Sequence, residues 1–357
     1  MNFDYNEEQQ LLADSLRRYL LAQYSFEQRK KVLDGSAEVW AKFAEMGLLA
    51  LPLSPDHGGF GGGAVDLMAI MEAFGEALVI EPYLATVMAS RLVARAGSPA
   101  QKSALLPAVA EGRLKMAFAH TESGARYDLA CVKASASKSG DGWLIDGEKK
   151  AVQGAPIADK LVVSAAVGGK PRLFLVDRAG VKLSPRRSLD SFPEADIVFS
   201  RVKAEALEGG LAEIEEVTDF VTALICAEAV GAMKFSCDTT LEYLKTRKQF
   251  GVPIGTFQAL QHRIVEMFIS TEQARSMACL ACSRADQSAG KERQRAISAA
   301  KIKIADAARH VSQEAVQLHG GMGMSEELKI SHSFRRLTVL ARQFGDADHH
   351  LARFASV

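Results

Sequence analysis

The chain has 357 residues, and its 43 Lys and Arg balance 43 Asp and Glu, so the formal net charge is zero. A single hydrophobic core stops growing near about 250–300 residues, so this length calls for more than one packed unit. A hydrophobic fraction of 48% and a charged fraction of 24% fit an ordinary globular enzyme, and the neutral balance offers no electrostatic footprint for a nucleic acid or an anionic membrane.

No uncharged apolar run reaches the roughly 18–20 residues of a membrane span. The start, Met1-Asn-Phe-Asp-Tyr5, lacks the basic and apolar pattern of a signal peptide, so the chain reads as cytoplasmic. Five cysteines are few and odd in number, which argues against a disulfide framework. Cys279 and Cys282 form a lone CxxC within a helical run; buried free thiols are the plain reading, and redox or metal work is the alternative.

The elements follow in chain order. The first 115 residues or so read as helices. Asn6 followed by Gln9 has the spacing of a capping box, and Leu11, Leu12, Leu16 and Leu20 form a helical stripe. Ser54-Pro-Asp-His-Gly-Gly-Phe-Gly-Gly-Gly63 breaks the pattern as a loop or tight turn, with a phosphate cradle as the lesser alternative. Helical patterns resume over Ala64–Glu76, Ala85–Ala96 and Gln101–Glu111.

Strand-like runs then appear at Lys115–His120, Leu129–Ser137, Trp143–Asp146, Lys160–Ala166, Leu173–Val176 and Asp196–Phe199, with turns at Gly140-Asp-Gly142 and Gly168-Gly169. From about Leu211 the pattern is helical again. Its helices cover about Thr218–Arg247, Phe257–Ser283 and Gln294–Leu318, and a fourth region, Ser331–Phe354, is interrupted at Phe344-Gly-Asp346. Phe257, Leu260, Ile264, Met267 and Phe268 mark an apolar face on the second of these. His319-Gly-Gly321 closes the third as a glycine C-cap. The fold class is α+β: an N-terminal helical domain (1–114), a small middle β domain (115–205) and a C-terminal four-helix bundle (206–357).

Two constellations carry chemistry. Arg247-Lys-Gln-Phe-Gly-Val-Pro253 puts a cation and an aromatic ring at a turn, where the guanidinium can pair with phosphate or carboxylate, or can simply complement the helix dipole. Gln317-Leu-His-Gly-Gly-Met-Gly-Met324 allows close backbone approach to a flat or phosphorylated ligand, or is a C-cap followed by a turn. The residues by themselves support an α/β/α protein with an anionic cofactor site.

Together these features resemble the acyl-CoA dehydrogenase superfamily along nearly the whole chain. Arg247-Lys-Gln-Phe-Gly251 looks like its Arg-x-x-Phe-Gly signature, and Gln317-Leu-His-Gly-Gly321 looks like its Gln-x-x-Gly-Gly signature. Ala227-Glu-Ala-Val-Gly231 and Phe344-Gly-Asp-Ala-Asp-His-His350 are most similar to bacterial pimeloyl-CoA dehydrogenase small subunits. The resemblance implies an FAD-dependent α,β-desaturation of an acyl-CoA thioester in fatty acid metabolism, with an electron-transfer flavoprotein as acceptor. The partner it implies is a larger homologous subunit, with a homo-oligomer or a non-catalytic structural subunit as alternatives. By the same likeness, Arg247, Gln249 and Phe250 would reach the pyrophosphate and adenosine side of FAD. Gln317, Gly320 and Gly321 would contact its adenosine end, and Thr121 would hold part of the flavin-ring site. No metal is implied.

The likeness also has gaps. The family's Thr-Glu-Pro-x-x-Gly-Ser-Asp stands here as Thr121-Glu-Ser-Gly-Ala-Arg-Tyr-Asp128, so Arg126 and Tyr127 replace a Gly-Ser pair. Its Trp-Ile-Thr-Asn-Gly becomes Ala151-Val-Gln-Gly-Ala155. The two places where relatives carry the catalytic carboxylate hold Phe344 and Val221. Glu228 and Asp346 are the nearest substitutes; otherwise Glu228 is a buried structural or interface carboxylate and Asp346 a helix N-cap.

Overall fold

The computed structural model describes residues 5–357. Helices α1 (Glu7–Gln23), α2 (Phe26–Lys31), α3 (Ala37–Glu45), α4 (Ala64–Ala77), α5 (Tyr83–Ala96) and α6 (Pro99–Ala110) come first. Strands β1 (Met116–Ala119), β2 (Ser135–Ser139), β3 (Gly142–Gln153), β4 (Lys160–Val167), β5 (Lys170–Asp177), β6 (Lys182–Arg187) and β7 (Pro193–Gly210) follow. Then come α7 (Leu211–Thr246), the short pair β8 (Lys248–Gln249) and β9 (Val252–Pro253), α8 (Gln258–Gln287), α9 (Gly290–His319), α10 (Lys329–Leu340) and α11 (Ala347–Ser356). This is the expected α+β order of helices, sheet and helices.

The chain divides into two compact units. One gathers the residues up to Arg29, Gly63–Val79 and Thr222–Val357; the other gathers Lys30–Gly62 and Ile80–Val221. The first unit holds the C-terminal bundle together with α1 and α4. The capping box at Asn6 forms as expected: its side chain accepts the Gln9 N–H at 2.8 Å, and Gln9 Oε1 accepts the Asn6 N–H at 2.9 Å. The buried face of α1 is Ala13, Leu16 and Leu20, whereas Leu11 is 66% exposed and leaves the expected stripe.

Helices α4 and α7 cross with their backbones almost touching. A Cβ on Gly75 would lie 1.9 Å from the Glu228 carbonyl oxygen, and one on Gly231 would lie 1.9 Å from that of Glu72. Two glycines therefore permit an approach that no side chain would allow. Among the described helices, α7 is the one long and apolar enough by composition to cross a membrane, although Asp219, Glu228 and Lys234 interrupt it and no uncharged run of span length occurs. Its most apolar window is 89% buried within the chain, so α7 is a core helix.

The second unit holds the seven-stranded sheet. Strands β4, β2, β3, β7 and β5 pair in succession, and β5 returns to β4, so the sheet closes on itself; β1 joins β4 in parallel and β6 lies on β7. Ile145, Leu161, Val163, Phe174, Val176, Ile197 and Phe199 fill its core. The run expected as a strand over Leu129–Ser137 is extended only from Ser135. The reason is Glu122, whose carboxylate accepts the N–H groups of Lys133 and Ala134 and withdraws them from any ladder. Strand β6 carries no alternation and contains Pro185, which an edge strand tolerates, so the sequence did not announce it. The loop at 54–63 consumes its own N–H groups: Gly58 donates to Pro55, Gly59 to Ser54, Phe60 to Ala50, Gly61 to Leu53 and Gly62 to Leu51. None is left to cradle a phosphate.

Candidate active site

In the first unit, Arg247 follows the last turn of α7. It is exposed, and its guanidinium has no partner among the described residues. The Arg247 carbonyl accepts the Ile254 N–H at 2.8 Å, which closes the β8–β9 hairpin over it. Phe250 sits at the tip of that hairpin with φ +54° and is 91% exposed. A left-handed aromatic residue is strained, and its ring meets Phe257 edge-on at 6.2 Å. Gln249 is exposed, and its side chain donates to the Lys248 carbonyl at 2.7 Å.

Gln317 lies exposed in the last turn of α9, and Gly320 caps that helix with φ +62°, its N–H donating to the Gln317 carbonyl. A Cβ on Gly320 or Gly321 would meet nothing within 4 Å, whereas one on Gly323 would strike the Val316 carbonyl at 2.4 Å. Gly323 therefore serves packing, and the other two leave open backbone.

The two signatures meet through residues that the sequence reading passed over. Tyr243, one helical turn before Arg247, stacks on His319 with centroids 4.4 Å apart, and His319 adjoins Gly320. His319 Nδ1 donates to the Ala315 carbonyl at 2.8 Å, which leaves Nε2 buried and unpartnered. Burial also lowers the pKa of this imidazole, so it stays neutral. A free guanidinium, an unsatisfied buried acceptor and open glycine backbone fit a ligand that carries a pyrophosphate together with hydroxyl and amine donors, as FAD does. An aromatic residue at Tyr243 and an imidazole next to the glycines were the signals available in the sequence.

In the second unit, Thr121 is exposed just past β1, and its carbonyl accepts the Lys150 N–H at 2.8 Å. Beside it is a buried polar cluster. Lys149 is 0% exposed and donates to Glu122 at 2.7 Å, Ser164 Oγ at 2.9 Å and the His120 carbonyl at 3.0 Å. Burial pushes the Lys149 pKa down to about 8 against the pull of Glu122, so it is still protonated at neutral pH. For Glu122, burial acts upward, but Lys149 and the N–H groups of Ala134 and Lys133 outweigh it and hold the carboxyl below its usual range. Arg126 and Ala151, at the substituted positions, both keep positive φ, +50° and +52°.

The carboxylate candidates resolve plainly. Glu228 is buried in a two-pronged ion pair with Arg336, at 2.6 and 2.7 Å. Asp346 is the N-cap of α11 and accepts the His349 N–H at 2.9 Å. Both carboxylates thus make contacts of the kind the second of the two readings expects, an ion pair and a helix cap. Val221 is buried and apolar. Phe344, φ +58°, stands on a turn held from beneath: His350 Nε2 donates to its carbonyl at 3.2 Å, and the buried Lys301 donates to the carbonyls of Leu340, Ala341 and Gly345 at 2.8, 3.1 and 2.9 Å. Cys279 and Cys282 are buried free thiols, and burial raises both pKa values.

Comparison with known proteins identifies the family. The acyl-CoA dehydrogenase N-terminal, middle and C-terminal domain models match residues 6–113, 117–203 and 208–356. The chain is 30% identical over 352 residues to the acyl-CoA dehydrogenase FadE12 of Mycobacterium tuberculosis, covering 92% of this chain and 90% of that protein. Among solved structures, the steroid acyl-CoA dehydrogenase Tcur3481-Tcur3483 superposes with a TM-score of 0.90 at 28% identity, covering 98% of this chain and 97% of the other. The FAD complex of PigA superposes with a TM-score of 0.89 at 27% identity, covering 100% and 98%. The chain belongs to the acyl-CoA dehydrogenase family, as an FAD-dependent oxidoreductase acting on acyl-CoA.

Proposed function

We propose that this chain is the smaller subunit of a heteromeric acyl-CoA dehydrogenase that carries out α,β-desaturation of an acyl-CoA thioester with a larger homologous subunit, in the cytoplasm. One observation carries this reading. Both usual places for the base hold side chains that cannot accept a proton, Val221 and Phe344, and the nearest carboxylates, Glu228 and Asp346, are committed to an ion pair and a helix cap. Bound FAD supplies the hydride acceptor, and an electron-transfer flavoprotein takes the electrons onward. The chain's own residues bind and orient. Arg247, Gln249, Phe250, Gln317, Gly320 and Gly321 take the pyrophosphate and adenosine half of FAD, and Thr121 takes part of the flavin ring.

The division into segments 1–114, 115–205 and 206–357 belongs to the same proposal. So does the likeness to pimeloyl-CoA dehydrogenase small subunits, which points to dicarboxylyl or medium-length acyl chains.

An exposed apolar face supports association. Phe257, Val265, Phe268 and Ile269 lie within about a third of the α8 circumference at a hundred degrees per residue, and all are exposed. Of the apolar face expected over Phe257, Leu260, Ile264, Met267 and Phe268, only Met267 is buried.

The test is to purify the chain alone and with its larger homologue and to measure flavin occupancy and acyl-CoA turnover. The expected result is little or no turnover alone and activity on mixing, lost when the partner's catalytic carboxylate is substituted. Turnover by the chain alone, with full flavin, refutes the proposal in favour of a homo-oligomer with a relocated base. Flavin binding without turnover under every pairing points to a structural subunit.

A further inference from the structure

The Glu122–Lys149–Ser164 cluster has one more member, and proton counting fixes its chemistry. Lys149 spends all three ammonium hydrogens, on Glu122, the His120 carbonyl and Ser164 Oγ. Ser164 is buried and accepts from Lys149, so its own hydroxyl hydrogen goes to His120 Nδ1, 2.8 Å away. His120 Nδ1 is therefore an acceptor, and the neutral ring carries its proton on Nε2. The ring is neutral because burial first, and Lys149 second, push its pKa down to about 4, against the pull of Glu122 and Asp128.

His120 Nε2 has no partner among the described residues and is not among the buried unsatisfied atoms, so this N–H opens to the surface of its unit. The ring is half-buried and stacks on Phe118, with centroids 5.2 Å apart and planes 15° from parallel. The pair forms a flat ledge just past the C-terminal end of β1, which runs parallel to β4. An ammonium behind the hydroxyl polarises the relay and strengthens the outward donor.

We infer that His120 Nε2–H donates a hydrogen bond to a pyrimidine carbonyl of the flavin ring, held in that tautomer by the Lys149–Ser164 relay. The inference rests on the proposed placement of the flavin ring at Thr121, the next residue. It supplies a ring contact where Arg126 and Ala151 have replaced others. A neutral donor fixed in place favours an acceptor that gains negative charge, which the flavin carbonyl does when the ring is reduced.

The test uses the FAD-loaded protein, assembled with its partner subunit where the chain alone does not retain flavin. The probe is sulfite, whose affinity reports stabilisation of negative charge on the ring, read as bleaching of the visible band without acyl-CoA. His120→Leu is expected to weaken sulfite binding about tenfold, the effect of one lost hydrogen bond to a developing charge. It should also shift the flavin spectrum, whereas His120→Gln, which keeps an N–H, should retain most of the affinity. A nitrogen-15 spectrum of the unsubstituted protein should show the His120 Nε2–H signal moving on FAD binding, a measurement that needs no variant to fold. At full flavin occupancy, unchanged sulfite affinity in His120→Leu, or an unmoved signal, overturns the inference while leaving the placement intact. Loss of acyl-CoA affinity alone would assign the donor to the thioester carbonyl and overturn it as well. Failure of the unsubstituted complex to bind FAD removes the placement and the inference together.

Discussion

Among the described residues no carboxylate pairs with Arg247 at the end of its helix, and the hairpin holds its carbonyl by a hydrogen bond from Ile254. A charge-assisted contact to pyrophosphate contributes about 1.5–3 kcal/mol. Arg247→Ala is therefore expected to raise the FAD dissociation constant tenfold or more with little change in melting temperature, measured by flavin titration of the assembled enzyme; an unchanged constant removes Arg247 from the site. Gly321 makes the complementary case. Nothing in the chain lies within 4 Å of its absent Cβ, so Gly321→Val should leave the fold stable and act only on a ligand that approaches the backbone. Flavin retention after gel filtration, set beside the melting temperature, separates the two effects. A collapse of stability with flavin fully retained would make the turn structural.

At the scale of elements, the α4–α7 crossing behaves in the opposite way. Gly231→Ala puts a methyl group 1.9 Å from the Glu72 carbonyl oxygen, so the helices must part. Overpacking of this kind costs about 1–3 kcal/mol or more, and denaturant unfolding should show at least that loss. The turn under Phe344 brings a pH dependence. Burial first, then Lys301, His349 and Arg353, hold the His350 pKa down at about 3, against an ordinary value of 6.5. Between those values the unfolded chain takes up a proton that the folded chain refuses. Stability is thus full above pH 6.5 and is lost as pH falls toward 3. His120 adds to the same trend down to about 4. The melting temperature should fall on acidification, and His350→Gln should flatten that slope; an unaltered slope would show that His350 is not the titrating group.

For the whole molecule, the exposed face of α8 is the element that asks for a neighbour. Phe268 is 59% exposed, so Phe268→Asp should leave the stability of the chain within about 0.5 kcal/mol, as surface changes do. It should disrupt association with a homologous subunit, read by sedimentation of the mixed proteins. Association that survives a charge on this face would place the interface elsewhere on the chain.

Order of elements, the capping box at Asn6, the C-cap at Gly320 and the two signature segments were all legible in the sequence, because each depends on residues close together in the chain. Caps, turns and apolar periods are local devices, and a signature is a local string. Tertiary structure decided what depends on distant partners. Glu228 reads as a candidate base until Arg336 arrives from α10 to hold both its oxygens. The apolar face of α8 is legible as a stripe, but only packing shows that Phe257 and Phe268 stay outside. The run before Ser135 reads as strand until the Glu122 carboxylate claims its N–H groups. Tyr243 and His319 meet only because α7 and α9 end side by side. The sequence determined the helices, their caps and the order of the three segments; burial and pairing across the fold decided the strand limits and which charges are free to do chemistry, because the fate of a polar group is set by what desolvates it and what pairs with it.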